Sequence, residues 1–173
     1  MARHREALGK LQARLAEQLM QAKTQVSTRA WLAVESAGMG FMLPLKEAGE
    51  IFSMCPVLSV PHTAPWFLGV ANLRGHLHGV VDLARFLGIR SEVAFRDQSS
   101  VVLFSPAFEL NCALVVDRLA GLKREDEIKL EADRGDSRPS FAADRYRDKN
   151  GRLWQEIRLE LLASTDDFIR INR

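Results

Sequence analysis

The chain has 173 residues, of which 47% are hydrophobic and 27% are charged, and its formal net charge at pH 7 is +2. These are ordinary values for one globular domain, which at this length buries roughly 70% of the surface that its unfolded chain exposes. A charge so close to neutral gives no electrostatic reason to expect a nucleic acid as partner.

Two further features of composition indicate a cytoplasmic protein. Cys55 and Cys112 are the only cysteines, which favours reduced thiols over a disulfide framework. No stretch approaches the roughly 18 apolar residues of a membrane span, and the N-terminal residues lack the apolar run of a secretory signal. We therefore expect the protein in the cytoplasm.

The first element in the chain is an amphipathic helix, predicted over residues 5–26. Its leucines recur at three- and four-residue spacing with charged and polar residues between them, and they are Leu8, Leu11, Leu15 and Leu19. This stripe suits docking on the chain's own domain or pairing with a partner helix. We divide the chain into an N-terminal helical extension, residues 1–27, and a domain, residues 28–173.

Short β-rich runs separated by turn residues follow, a pattern typical of sandwiches and small barrels. The predicted strands are Arg29–Ser36, Met39–Leu45, Gly49–Met54, Leu68–Leu73, His76–Asp82, Ser99–Ser105, Glu109–Asp117, Asp144–Asp148 and Arg152–Leu159. Ala37-Gly38, Arg74-Gly75 and Asn150-Gly151 fit the tight turns of antiparallel hairpins. The sequence thus predicts a mainly β protein.

Short helices are predicted between the strands. They lie around Pro65–Phe67, at Leu83–Leu87, near Arg124–Lys129 and from Glu160 towards Arg170. Asp82 stands directly before the second of these, where its carboxylate can accept backbone N–H bonds as an N-cap. The charged segment Glu131–Ala143 contains Gly135 and Pro139 and is expected to be an exposed loop.

The spacing of His76 and His78 raises the possibility of a metal site. On a strand, residues two apart point to the same face, so both imidazoles could bind zinc. His62 and Asp82 are the nearest third ligands, but neither completes a signature spacing. A small metal-dependent enzyme is therefore the alternative function. In the other interpretation, the two histidines simply lie on a solvated strand face.

Other catalytic chemistry lacks its motifs. The chain contains no G-x-S-x-G elbow, no G-x-x-x-x-G-K-[ST] loop and no G-x-G-x-x-G loop. Its glycines stand singly and are expected at turns. We therefore do not expect an NTPase or a dinucleotide-dependent enzyme, and the exposed apolar and aromatic residues near turns point to protein binding.

Three segments carry a resemblance to a known family. They are Glu50-Ile51, the stretch "VPHTAPWFLGVANLRGHLHGVVDLARFLG" from Val60 to Gly88, and "ALVVDRLAGL" from Ala113 to Leu122. Together they resemble the CheW-like family of bacterial chemosensory adaptors. The resemblance covers about residues 30–162, nearly the whole chain outside the N-terminal helix.

The resemblance implies a fold and a set of partners. The fold is two packed five-stranded β-barrels with short helices and a hydrophobic groove between them, here preceded by the N-terminal amphipathic helix. The implied function is that of a non-enzymatic adaptor without a cofactor. Such an adaptor bridges the regulatory domain of a CheA-type histidine kinase and the cytoplasmic tip of methyl-accepting chemoreceptors.

The resemblance also implies the binding residues. Glu50 and Arg74 match family positions that form a charge pair near the receptor-binding face. The full set expected to bind protein partners is Glu50, Ile51, Trp66, Val70, Asn72, Leu73, Arg74 and Gly75. Its apolar members line either the groove or the core beneath it, and Trp66 suits packing as well as it suits an interface.

Two departures point to a subtype. The long leading helix and the C-terminal "ASTDDFIRINR" differ from the plain flagellar adaptor. Both resemble the adaptors of type IV pilus systems, which control twitching motility. The expected setting is therefore a pilus pathway, with the protein recruited to membrane-bound receptor arrays.

Overall fold

The computed structural model describes residues 29–92, 98–132, 135 and 137–172. In this part of the chain the strands are β1 (Ala30–Ser36), β2 (Met39–Pro44), β3 (Ala48–Ser53), β4 (Phe67–Leu73), β5 (His76–Asp82), β6 (Ser100–Phe104), β7 (Cys112–Val116), β8 (Arg118–Arg124), β9 (Ile128–Leu130), β10 (Ala142–Asp148) and β11 (Leu153–Ile157). The helices are α1 (Leu83–Phe86), α2 (Leu159–Ala163) and α3 (Asp166–Ile169), and 3₁₀ turns lie at Pro106–Phe108 and Glu125–Glu127. The helix predicted over residues 5–26 falls outside the described residues.

The strands form two sheets. One has the order β8-β1-β2-β11-β10-β9, and the other has the order β3-β6-β7-β5-β4. Neighbours are antiparallel, except that β11 runs parallel to β2 and β5 runs parallel to β7. The prediction of a mainly β, two-part fold is confirmed, and the first sheet has six strands because the short β9 adds to its edge. Among the described helices, none is long and apolar enough to cross a bilayer.

The apolar runs in the sequences of the central strands are continuous because these strands are buried on both faces. On β1, Trp31 and Ala33 point into a cluster enclosed by the six-stranded sheet, whereas Leu32 and Val34 point into a cluster shared with the other sheet. The five-stranded sheet encloses a third cluster, formed by Ala71, Leu73, Val80, Val101, Ala113 and Val115. Each sheet therefore has a core of its own, and the shared cluster joins the two.

Three local predictions were wrong. Pro65–Phe67 is not helical, because Phe67 already pairs with Val81 as the start of β4. Glu125–Glu127 forms a single 3₁₀ turn, and Ile128 then begins β9 instead of continuing a helix. Phe141, expected in an exposed loop, is buried in the shared core.

Asp148 gives the six-stranded sheet a pH-dependent component of stability. Burial raises the pKa of this carboxyl, but hydrogen bonds from Trp154 Nε1, the backbone N–H groups of Arg152 and Asn150, and Lys123 outweigh burial and hold the pKa at about 2, below the ordinary 3.8. A folded pKa below the unfolded value contributes on the order of 2 kcal/mol above pH 4, and this contribution is lost as the pH falls towards 2.

We therefore expect Asp148→Asn to destabilise the protein most above pH 4, with the difference from the wild type shrinking steadily towards pH 2. Chemical denaturation of both proteins across this range measures the difference. A difference that stays constant with pH would contradict the assignment.

Candidate functional site

The β4–β5 hairpin turns at Arg74-Gly75, as predicted. Both residues have positive φ, 53° for Arg74 and 85° for Gly75, which is the geometry of a two-residue turn that matches the twist of the strands. Glycine adopts this region freely, but a residue with a Cβ does so at a cost of roughly 1–2 kcal/mol. The side-chain Oδ1 of Asn72 accepts a hydrogen bond of 2.8 Å from the Gly75 N–H.

The Arg74 side chain reaches from this turn to β3. Its Nη2 lies 3.0 Å from Oε2 of Glu50, and its Cζ lies 5.8 Å from the ring centroid of Phe52. The side chains of Arg74 and Glu50 are 71% and 53% exposed, so the pair contributes about 1 kcal/mol or less to folding. The structure brings together the two residues that the resemblance had paired.

The pair joins the two edges of the five-stranded sheet. Glu50 belongs to β3 at one edge, and Arg74 follows β4 at the other. A contact of 3.0 Å between opposite edge strands requires the sheet to curl back on itself. The hairpin tip therefore lies where this curled sheet closes.

A second contact shapes β4 further from the turn. Leu58 forms an isolated antiparallel bridge with Val70, through backbone hydrogen bonds of 2.8 and 2.9 Å. Gly69 adopts a φ of 133°, and a Cβ there would lie 2.0 Å from the Leu58 carbonyl oxygen. The glycine before Val70 is thus required by the close approach of the segment that precedes β4.

The other residues expected at the binding face divide into two groups. Ile51 and Gly75 are exposed and Val70 is half-buried, close to the hairpin, whereas Leu73 is buried in the core of the five-stranded sheet. Val80 and Val81 of β5 are also core residues. Of the apolar residues expected at the binding face, Leu73 therefore belongs to the core, whereas Ile51 remains at the surface.

Trp66 lies in a different environment from the hairpin tip. Its ring stacks on Phe168 at 5.9 Å and meets Phe86 edge-on at 5.1 Å, next to the shared core. Phe86 belongs to α1 and Phe168 to α3. Trp66 therefore fixes both short helices to the body of the protein by packing.

Two exposed apolar side chains, one in the hairpin and one on the segment that pairs with β4, were missed by the sequence reasoning. Leu77 lies directly across from Asn72 in the hairpin and is 64% exposed, and Leu58 is 73% exposed. Phe52, which contacts the Arg74 guanidinium, was also missed. For Leu77 a signal was present, because a leucine between two histidines at a hairpin end breaks the expected polarity of a solvated strand.

Two of the possible metal ligands make other contacts. Asp82 is fully buried and accepts a hydrogen bond from the Arg85 N–H, which confirms its predicted role as N-cap of α1. It also binds Arg90 at 3.0 Å. Nδ1 of His78 lies 3.1 Å from the carbonyl oxygen of His76. In the described ranges, no group of three or more His, Cys, Asp or Glu side chains is placed to hold a metal ion.

Comparison with known proteins decides the family. The model of the CheW-like domain matches residues 30–167, which is most of the chain. The chain belongs to the CheW-like family.

Two relatives of the CheW-like chain are informative. Protein PilI of Pseudomonas aeruginosa is 29% identical over 110 residues, which make up 64% of this chain and 61% of PilI. The matched region thus spans about three fifths of the length of PilI. The crystal structure of the scaffolding protein TtCheW from Thermoanaerobacter tengcongensis has a TM-score of 0.67 at 18% identity, and it covers 81% of this chain and 95% of TtCheW. This second likeness confirms the CheW-like fold.

Proposed function

We propose that this protein is a non-enzymatic chemosensory adaptor. Its domain, residues 28–173, couples methyl-accepting chemoreceptors to the regulatory domain of a CheA-type histidine kinase and needs no cofactor. The proposal is carried by one observation, the exposed ion pair between Glu50 and Arg74 at the hairpin tip. An ion pair of this exposure adds little to folding, so its chemistry is available to a partner.

The surroundings of the pair support protein binding. Ile51, Leu58 and Leu77 expose apolar side chains on β3, before β4 and on β5. Apolar contacts supply most of the affinity of an interface, while charged groups beside them set partner choice and association rate. A partner with an apolar face and complementary charges suits this surface.

The similarity to PilI supports a place in a type IV pilus pathway that controls twitching motility. In this setting the protein is cytoplasmic and is recruited to membrane-bound receptor arrays. Residues 1–27 are then an extension that precedes the adaptor domain.

Replacing Arg74 by alanine is expected to weaken binding to a purified cytoplasmic tip of a chemoreceptor from the same genome by about tenfold, which corresponds to about 1.4 kcal/mol. The melting temperature should change little because the lost ion pair is exposed. Calorimetric titration measures the affinity, and a parallel titration against the kinase regulatory domain shows whether the two partners use the same face.

Arg170→Ala is the matched control, because Arg170 is an equally exposed arginine that pairs with Asp166 on α3, away from the hairpin. The double variant Glu50→Arg/Arg74→Glu restores an ion pair with reversed polarity. If the partner recognises the charges, this double variant stays weak. An Arg74→Ala protein that binds the receptor tip as the wild type does would contradict the proposal.

A further inference from the structure

We infer that Asn72 is a positioning residue for Arg74, and that it acts on partner binding through the turn instead of by its own contact. This inference rests on the proposed function of the hairpin. Its basis is the hydrogen bond from the Gly75 N–H to Oδ1 of Asn72, 2.8 Å long. The bond closes a loop around Arg74, because its two ends lie on either side of that residue in the chain.

The turn needs this support because an arginine occupies its first position. Two-residue hairpin turns with positive φ at both positions favour Asn, Asp or Gly at the first position, and here that position holds Arg74. Leu73 and His76 form the last strand pair, so the Gly75 N–H lies beyond the ladder. Asn72 gives this N–H an acceptor and holds Gly75 in the orientation that keeps Arg74 left-handed.

The conformation of the turn determines the position of the Arg74 guanidinium. Arg74 reaches across to Glu50 and Phe52, which both lie on β3 at the other edge of the curled sheet. A turn with negative φ at Arg74 would splay the strands and start the side chain in another direction. Asn72 therefore determines whether the arginine meets Glu50 or extends freely into solvent.

Leu77 lies directly opposite Asn72 and is exposed. A partner that covers Leu77 would come close to Asn72, so direct contact is the competing explanation. The two explanations differ in one respect. A positioning residue loses its effect when Arg74 is absent, whereas a contact residue keeps it.

A double-mutant cycle tests this difference. Binding to the purified receptor tip is measured for the wild type, Asn72→Ala, Arg74→Ala and the double variant. We expect Asn72→Ala to weaken binding about three- to tenfold, as the loss of one hydrogen bond does. The double variant should bind no more weakly than Arg74→Ala alone.

Two further measurements separate positioning from a general effect on the fold. Asn72→Asp keeps an acceptor for the Gly75 N–H, so it should retain more affinity than Asn72→Ala. In ¹H–¹⁵N spectra of the free protein, the Gly75 amide and the Arg74 Nε–H signals should shift in Asn72→Ala. Signals from the buried strands β6 and β7 should stay in place.

Additive effects of the two alanine substitutions would overturn the inference, since they would mean that Asn72 contacts the partner itself. Unchanged Gly75 and Arg74 signals in Asn72→Ala would also overturn it. If Arg74→Ala binds normally, the proposed function of the hairpin fails instead, and the spectra of Asn72→Ala still decide whether the turn depends on Asn72.

Discussion

Replacing Arg90 by methionine is expected to lower the free energy of unfolding by about 3–5 kcal/mol, because the change leaves a buried carboxylate without its partner. Nη2 of Arg90 binds both oxygens of Asp82 at 3.1 and 3.0 Å, and Nη1 binds both oxygens of Asp117 at 2.8 and 3.0 Å. Asp82 is fully buried. Burial alone would lower the pKa of Arg90, but the bonds to Asp117 and Asp82 raise it, so the guanidinium stays charged.

This cluster also links the two sheets. Asp82 ends β5 of the five-stranded sheet, while Asp117 lies where the chain crosses from β7 to β8 of the six-stranded sheet. Asp117 accepts a further hydrogen bond of 2.7 Å from the Ala37 N–H, at the β1–β2 turn. Arg90 therefore holds together elements that otherwise meet mainly through apolar packing.

Urea denaturation measures the loss for Arg90→Met. Arg90→Lys keeps the charge but cannot bind two carboxylates in a bidentate manner, so it should lie between the wild type and Arg90→Met. Arg170→Met removes an exposed arginine and should cost about 0.5 kcal/mol or less. A loss below 1 kcal/mol for Arg90→Met would show that Asp82 finds another partner or water.

Local sequence patterns predicted most strands and tight turns of the fold because the signals for these elements are short-range. The apolar runs of β1, β2 and β7 are long enough to mark strands wherever they pack. Ala37-Gly38 and Arg74-Gly75 identify their hairpins because a tight turn restricts its own two residues. These features need no knowledge of the rest of the chain.

The missed strands lack such signals. β8 carries charged residues at both ends and includes Gly121 with a φ of 95°, next to a register shift against β1. β9 has three residues, and it is a strand only because it pairs with β10. Both segments are strands because they pair with segments that are distant in sequence, and local propensity carries no information about such pairing.

The candidate site was predictable only in part. The pairing of Glu50 with Arg74 came from resemblance, since nothing in their spacing places opposite edges of one sheet in contact. An aromatic residue near a turn fits a surface and a core equally well, so the sequence alone does not separate these two roles for Trp66. Its packing against Phe86 and Phe168 depends on two helices that converge from distant parts of the chain.

The role of Glu47, a buried charged residue, could not be predicted from the sequence either, because nothing in its sequence context indicates it. Glu47 is almost fully buried, its Oε1 binds Arg158 Nε at 2.6 Å, and its Oε2 accepts the Leu159 N–H at 2.7 Å and the Glu160 N–H at 3.3 Å. Arg158, the residue at the N-cap of α2, provides no side-chain cap. A residue distant in sequence thus caps this helix.

We expect Glu47→Ala to lower the free energy of unfolding by about 3–5 kcal/mol, because it breaks a buried ion pair and removes a helix cap together. Glu160→Ala is the matched control, since this carboxylate lies 3.7 Å from the same Arg158 but is mostly exposed. It should cost about 0.5 kcal/mol or less. Glu47→Gln keeps one carbonyl acceptor without the charge and should fall between them.

Hydrogen exchange locates the damage from Glu47→Ala. The amides of Leu162 in α2 and of Ser164 at its C-cap should exchange faster first, because the helix loses its N-terminal cap while its apolar face still packs. Glu47 also lies directly before β3, and its carbonyl accepts the Ser105 N–H. Loosening at Glu47 is therefore expected to reach Glu50 and to weaken the proposed receptor binding at temperatures where the fold persists. Equal stability of Glu47→Ala and Glu160→Ala would mean that α2 is held by Leu159 and Leu162 alone.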